Sequence, residues 1–350
     1  MAGRENLIFG MGNPLLDISA HVDDAFLTKY GLEKNNAILA DDKVHLPMFE
    51  EMEKMPTVEY LAGGATQNSF RVLSWMIGKE KKVGTFMGSV GKDEYGKRLK
   101  DSMNAAGVTV DYHVDEKVKT GTCAVCVNGD HGKHRSLVAH LGAANEYKKE
   151  HLEQPKNMAL MKGADFYYIS GFFLTVCPDA MVMVGKEAAA GNKTFVCNLS
   201  APFICEFFKE PQMAVMPYVD ILITNELEAV AFAKVHNFGT EDHKEICVKL
   251  AQLTPKANEK RPRIAIVTQG PEPVIVAQAD GTVTTYEVPK LDQNLLVDTN
   301  GAGDAWVGGF LAAWIQGKGV EASVAAGCWA AQVIIQRHGC TFPEVCDYKF

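Results

Sequence analysis

The stretch that decides the fold runs from Asp298 to Phe310 and reads DTNGAGDAWVGGF. Two glycines around an alanine precede an acid, and an apolar run of helical character follows. A helix start leaves backbone N–H groups unpaired and carries the positive end of the helix dipole, so it attracts anions. Gly301 and Gly303 let a phosphate approach that backbone with no side chain between. An acid in the same turn, Asp304, would repel a resident phosphate. The conflict disappears if the phosphate is a phosphoryl group in transit. Asp304 then faces the hydroxyl that receives it, orienting it and taking its proton late. The plain alternative is a first-turn acid that favours the helix dipole, with glycines for close packing. This segment alone leaves the two readings evenly matched.

The rest of the chain sets the frame. At 350 residues it is long enough for one large α/β unit with a well-buried core and no staples. A formal net charge of -8 argues against nucleic acid or an anionic membrane surface as the main partner. The nine cysteines are scattered rather than set in a disulfide framework, which suits a reducing compartment. The start, MAGRENLIFGMGNP, is too short in apolar length for a signal peptide. The apolar run FYYISGFFLTVCPDAMVMVG (166–185) is broken by Pro178 and Asp179. These features predict a soluble cytoplasmic protein, with the nucleus also open to it.

From about residue 164, short β-branched and aromatic runs alternate with helical patterns. DFYYIS, TFVCNLS, VDILIT and RIAIVT read as buried strands, and PDAMVMVGKEAAA and ELEAVAFAKV as helices between them. That rhythm predicts right-handed βαβ units and a mostly parallel sheet covered on both faces, a three-layer α/β/α core. GDAWVGGFLAAWI and EASVAAGCWAAQVIIQR add two long closing helices. Earlier, LLDISAHV, VTVDYHV, TCAVCVNG and RSLVAHL alternate only in part and come in pieces, interrupted by helices at GGATQNSFRVLSWMI and KDEYGKRLKDSMNAA. The expected organisation is a single unit: a core lobe of about 1–13, 64–109 and 143–350, and a small discontinuous β-sheet lid of about 14–63 and 110–142.

In such a sheet, ligands bind beyond the carboxyl ends of the strands. There the chain places SGFFL, NLSAPF, TNELE and TQG in turn, and then DTNGAGD. Asn, Ser and Gly favour any loop, but five such segments at one edge suggest a site. Competing nucleotide motifs fail. FMGSVGKD (86–93) lacks the first glycine of a Walker loop and has Asp93 after its lysine. GMGNPL (10–15) ends in Leu15 where a dinucleotide fingerprint needs glycine. Cys123 and Cys126 spell C-x-x-C, but no second pair accompanies them at zinc-like spacing. In a strand, positions three apart face opposite ways, so the pair reads as structural.

Together with GGATQNSFRVLSWM, GSVGKDEYG, MGNPLLDIS, GTCAVCV, GFFLTV, NLSAPF, NELEA and RHGCTFPE, the DTNGAGDAWVGGF segment resembles the ribokinase-like (PfkB) carbohydrate and nucleoside kinase family over nearly the whole chain. The resemblance implies transfer of the ATP γ-phosphoryl group to the 5′-hydroxyl of adenosine, with magnesium and possible potassium; a small lobe read as a lid rather than a dimer interface adds the expectation of a monomer. It implies Asp304 as base, the N–H groups of Gly301, Ala302 and Gly303 as anion hole, and Arg135 as a clamp on the transferring phosphate. Asp17 takes the ribose hydroxyls with Asn13, Gly63, Gly64, Asn68 and Asn300. Leu16, Cys123, Leu137, Ala139 and Phe173 line the adenine slot. Asn225 and Glu228 organise magnesium through water. Thr268, Gln269 and Gly270 with Cys328 and Ala331 flank ATP, and Asp298 with Thr299 is implied to hold potassium. Residue by residue the plain readings stay open: Asn225 and Glu228 also spell a helix capping box, Asp17 a solvent-facing strand acid, and the apolar set ordinary core. Three departures from the family pattern stand out: Ala65 for a serine, Cys328 for a histidine, and a GDHGKHRSL that is longer than expected before Arg135. A sugar kinase of the same fold, a non-catalytic nucleoside binder and a nicotinamide-dependent dehydrogenase are the alternatives, in that order.

Overall fold

The two hydrophobic patterns in the sequence become two sheets. The computed structural model describes residues 4–129 and 134–350; four residues of the GDHGKHRSL segment, 130–133, lie outside them. The strands are β1 (Ile8–Met11), β2 (Leu15–His21), β3 (Ala37–Leu39), β4 (Glu59–Gly63), β5 (Gly84–Gly91), β6 (Thr109–Asp115) and β7 (Gly121–Asn128). They continue with β8 (His134–His140), β9 (Phe166–Ser170), β10 (Thr194–Asn198), β11 (Ile221–Asn225), β12 (Ile264–Gln269), β13 (Glu272–Gln278) and β14 (Val283–Tyr286). The helices begin with α1 (Asp24–Lys29), α2 (Asp42–Met52), α3 (Ala65–Ile77), α4 (Glu94–Ala105), α5 (Lys149–Glu153) and α6 (Pro155–Gly163). The later ones are α7 (Pro178–Ala190), α8 (Pro202–Phe207), α9 (Lys209–Val215), α10 (Glu226–Val235), α11 (His243–Ala251), α12 (Ala302–Trp314) and α13 (Gly319–Ile335).

The larger sheet has nine strands in the order β14-β13-β12-β11-β10-β9-β1-β5-β6. It is parallel from β12 to β6, with β13 and β14 antiparallel at one edge. Alternation sends Phe9, Tyr167, Ile169 and Phe195 into one core, under α7, α10 and α11. Ile8, Phe86, Tyr168 and Val196 enter the other, under α3, α12 and α13. The three expected layers are present. No helix among the described residues is long and apolar enough to cross a membrane. PDAMVMVGKEAAA coincides with α7, and the run before it is β9 followed by a tight turn.

The smaller sheet runs β3-β8-β7-β2-β4. Its outer face packs on α1 and α2 through Ile18, Ala124, Cys126, Phe26, Met48 and Phe49. Its inner face carries Leu15, Cys123, Leu137 and Ala139. Cys123 and Cys126 therefore face opposite ways, as strand geometry requires.

Seven strands differ from the sequence reading, which singled out no run for β1, β3, β4, β5, β13 or β14 and misplaced β6. VTVDYHV, assigned to the lid, is β6 at the edge of the large sheet, paired in parallel with β5. The β5-α4-β6 crossover returns it there, and one open side explains its partial alternation. The central strand β1 and its neighbour β5 went unread because both carry glycines. Those glycines are required: a Cβ on Gly10 would lie 2.6 Å from the Phe70 ring, and one on Gly88 would lie 2.6 Å from Pro14.

α12 approaches both its partners through glycine. A Cβ on Gly308 would sit 2.6 Å from the carbonyl O of Ser69 in α3, and one on Gly309 would sit 2.4 Å from that of Ala326 in α13. Neither backbone can give without moving a helix. Gly308→Ala is expected to cost about 1–3 kcal/mol of stability in denaturant unfolding. It should also depress turnover beyond any loss of folded protein, because α12 carries Asp304. A variant as stable and active as the parent would show that the helices tolerate the extra separation.

Candidate active site

β1 is flanked by β5 on one side and β9 on the other, so the chain leaves it in both directions and a crevice opens at the carboxyl ends of the strands. The register brings Ser170, Asn198, Thr224, Asn225 and Thr268 to one edge. A cleft of about 520 Å³ lies there, roofed by the inner face of the smaller sheet. The loops singled out at that edge do converge on a single cleft.

Its floor is the start of α12. Gly301 is the N-cap, in the left-handed region at φ +74°, and a Cβ there would meet Cys340 at 2.8 Å. Glycine is needed on both counts. A Cβ on Gly303 would meet nothing, so the glycine keeps open the space above the helix N-terminus. Asp304 sits in the first turn. Its Oδ2 accepts from Asn68 Nδ2 at 2.9 Å, and its carbonyl accepts from Ser69 Oγ at 2.9 Å. Burial raises its carboxyl from the ordinary 3.8 to about 7, against the lowering effect of Asn68.

Asp17, on β2, faces the same cleft. Burial and then the charge of Asp304 raise it to about 7 also, while the Asn300 side chain bonds it and opposes the rise. Gly63 serves Asp17 rather than a ligand, since a Cβ there would lie 2.2 Å from Oδ1. Gly64, at φ +94°, lines the cleft where the chain turns into α3, close against the carbonyl O of Asn13. Asn13 donates to Phe172 O at 3.3 Å, and its buried Oδ1 has no partner among the described residues. That acceptor suits a ligand hydroxyl.

Cys123, Leu137 and Ala139 line an apolar end of the cleft, as expected. Leu16 and Phe173 do not. Leu16 points the other way, into a cluster with Val90 and Leu99. Leu15 takes its place, because Asp17 faces the cleft and only positions two apart share a strand face. Phe173 is fully buried beside Tyr147, with ring centroids 5.5 Å apart, and Phe172 reaches the cleft instead. Ile38 and Phe203 complete this wall. GFFLTV and NLSAPF carried the signal for Phe172 and Phe203 but not the choice of residue.

Arg135 lines the cleft, yet its Nε donates to Asp298 Oδ1 at 2.6 Å. Asp298 also accepts from the backbone N–H groups of Asn300 and Gly339, at 2.6 and 2.8 Å. The residue read as a phosphate clamp and the one read as a potassium ligand are paired with each other. With its charge met by a guanidinium, this donor set does not fit a monovalent cation, although Thr299 and Asn300 line the cleft.

On the opposite side, Asn225 and Glu228 form a complete capping box at the start of α10. Glu228 Oε1 accepts from Asn225 Nδ2 at 2.8 Å and Oε2 from Asn225 N at 3.1 Å. Burial raises its carboxyl to about 7. Both residues line the cleft, so the cap and a role toward ligand coexist. Thr268 lines it as well, donating to Thr224 O at 3.3 Å. Gln269 is turned away, bonded to His243 and Pro273, and Gly270 forms the turn into β13. Cys328 and Ala331 pack into the core of α13 behind Trp306 and are not part of the cleft wall. The residues that do face this side are Leu227, Trp306 and Val307, which lie inside the quoted NELEA and DTNGAGDAWVGGF segments but were given no role. No cluster of three or more His, Cys, Asp or Glu suited to a metal occurs among the described residues.

Two lobes, one cleft, a glycine-lined helix start and a first-turn acid define the ribokinase-like class. The pfkB family carbohydrate kinase pattern matches residues 24–345, and the chain belongs to that family. It is 54% identical to adenosine kinase 1 of Arabidopsis thaliana over 345 residues, 99% of this chain and 98% of that one. Among solved structures it is similar to Anopheles gambiae adenosine kinase in complex with P1,P4-di(adenosine-5) tetraphosphate, with TM-score 0.91, 47% identity, and coverage of 96% of this chain and 97% of that one. It is also similar to Schistosoma mansoni adenosine kinase in complex with 2-fluoroadenosine, with TM-score 0.92, 36% identity, and coverage of 97% and 98%.

A carboxyl with a raised folded pKa holds its proton more tightly when folded. The stability it lends is fully present below the unfolded value near 3.8 and is lost as pH rises through about 7. At pH 8 both acids oppose folding, so Asp17→Asn and Asp304→Asn should each be more stable than the parent. The gain should be about 1–3 kcal/mol, allowing for partial solvent access, and should vanish near pH 4. Urea unfolding at the two pH values measures it, and destabilisation of either variant at pH 8 would contradict this account.

Proposed function

We propose that the chain is a magnesium-dependent adenosine kinase, catalysing ATP + adenosine → ADP + AMP by direct in-line transfer. The observation that carries this reading is the placement of Asp304. A base with a pKa raised to about 7 stands beside the open N-terminus of α12, on the cleft whose other end is apolar. The adenine fits between Leu137, Ala139, Cys123 and Phe172, where a bare sugar offers nothing flat to cover. Asp17 and the free Oδ1 of Asn13 accept the ribose hydroxyls, relieving the burial cost of that carboxylate.

Asp304 orients the 5′-hydroxyl and takes its proton as the phosphoryl group arrives. The N–H groups of Gly301 and Gly303 meet the charge that develops on that group, at about 3 kcal/mol per well-placed donor, while the Ala302 N–H already donates to Thr299 O at 3.2 Å. Glu228 has both carboxylate oxygens bonded within the cap, which suits contact with magnesium through its hydration shell rather than directly. Bound with ATP, the metal supplies neutralisation of the phosphate oxygens. The smaller sheet, over the apolar wall, acts as a lid that excludes water able to accept the phosphate.

ADP release with Mg-ATP and, in parallel, adenosine, ribose and fructose tests this directly. Adenosine alone should turn over, and Asp304→Asn should lower kcat by about 10²–10⁴-fold. For the parent, kcat/KM should fall as pH drops through about 7, because the base must be ionised. Turnover of a free sugar would overturn the adenine slot, and an active Asp304→Asn would overturn the base.

A further inference from the structure

Arg71 lies on α3 one turn beyond Asn68 and is not among the residues lining the cleft. Its Nη1 donates to the carbonyl O of Ala62 at 3.1 Å and toward Asn68 Oδ1 at 3.4 Å. The guanidinium also covers the ring of Phe342, 5.4 Å from its centroid. Ala62 immediately precedes Gly63 and Gly64, where the chain crosses from the smaller sheet into α3.

The two ends of an asparagine amide are alike in shape, and only their partners decide which way each faces. A guanidinium has donors and no acceptor. The oxygen of Asn68 must therefore face Arg71, which turns Nδ2 toward Asp304. An N–H on a carboxylate favours its ionised form. Were the amide reversed, its oxygen would face the carboxyl, and only a protonated carboxyl could donate to it.

We propose that Arg71 is a positioning residue for phosphoryl transfer, holding the Asn68 amide with its N–H toward Asp304 and fixing Ala62 where the lid strand meets α3. The inference rests on Asp304 as the base. The other titratable groups around this corner are Asp17 from β2, Asp298 from the loop before α12, Glu228 from α10, Tyr168 from β9, Cys340 near the C-terminus, and Tyr112 from β6, whose hydroxyl donates to Gln67 Oε1. The cation Arg135, from β8, is paired with Asp298. None of these groups orients the Asn68 amide.

The test is steady-state kinetics with adenosine and Mg-ATP between about pH 5.5 and 9, on Arg71→Met, Arg71→Lys, Asn68→Ala, the Met/Ala double variant and Asp304→Asn. Arg71→Met should lower kcat about 10- to 100-fold, as small misplacements of reacting groups do. It should leave the adenosine KM within about threefold and move the acid limb upward by about half a pH unit or more. Arg71→Lys, also a donor-only cation, should restore the limb. In the Asn68→Ala background Arg71→Met should cost less than about twofold, since the group it acts through is gone. If Arg71→Met does not fold, Arg71→Gln, which can turn its own oxygen to Asn68, carries the same expectations. An unmoved acid limb, or a loss that adds in full to that of Asn68→Ala, overturns the inference. A fully active Asp304→Asn instead overturns the base assignment itself, and the two failures are distinct.

Discussion

Two carboxylates that share one desolvated cleft are the constraint on which the rest depends. Asp17 and Asp304 come from opposite lobes, and each is raised to about 7 by burial, Asp17 further by the charge of Asp304. Both are half-buried where they line the cleft, and no cation among the described residues bonds either one. What stands around them is neutral and donating: Asn300 at Asp17, Asn68 at Asp304. That arrangement leaves each acid short of donors, which under the proposed function the hydroxyls of a nucleoside would supply. Strain of this kind is tolerated because it is repaid on binding, which is the usual trade between stability and activity.

Holding such a pair requires a rigid frame, and α3 provides it. Its buried face packs between the sheet and α12, where Gly308 allows backbone contact with Ser69. Its first two turns serve the site. Gln67 Nε2 donates to Gly63 O at 2.6 Å, Arg71 holds Ala62 O, and Asn68 and Ser69 hold Asp304. Two successive carbonyls where the chain crosses from the smaller sheet, and both the side chain and the carbonyl of Asp304, are thus fixed by one helix. A loop in that position would leave the Asp304 carboxyl free to turn out of the cleft.

The later half of the fold was legible because buried parallel strands there are β-branched or aromatic and the helices between them follow their period. β1 and β5 were not, since close approach of Phe70 and Pro14 demands glycines that erase a strand's signature. β6 kept its strand signature, but no residue in it says which sheet it joins; the crossover through α4 does. At the site, motifs gave the segments and the pleat gave the residues. Asp17 in LLDIS makes Leu15 its companion on the cleft face, an inference that alternation alone could have supplied. Choosing Phe172 over Phe173 needed the turn after β9, whose geometry no period encodes. The donor side was least legible, because Leu227, Trp306 and Val307 are ordinary helix residues that become walls only once α10 and α12 face each other.

The pair Arg135–Asp298 shows why charge balance must be settled before a role is assigned. The two residues are 163 positions apart, and their side chains are nearly inaccessible. A guanidinium already neutralised by a carboxylate has little field to lend a phosphoryl group. Removing one member of a buried pair is costly because the other charge is left alone. Asp298, however, would not be left alone: the N–H groups of Asn300 and Gly339 stay on its oxygens whether or not Arg135 does. The cost of partner exchange is therefore lower than for an isolated pair. The pair joins β8 of the smaller sheet to the loop that opens α12.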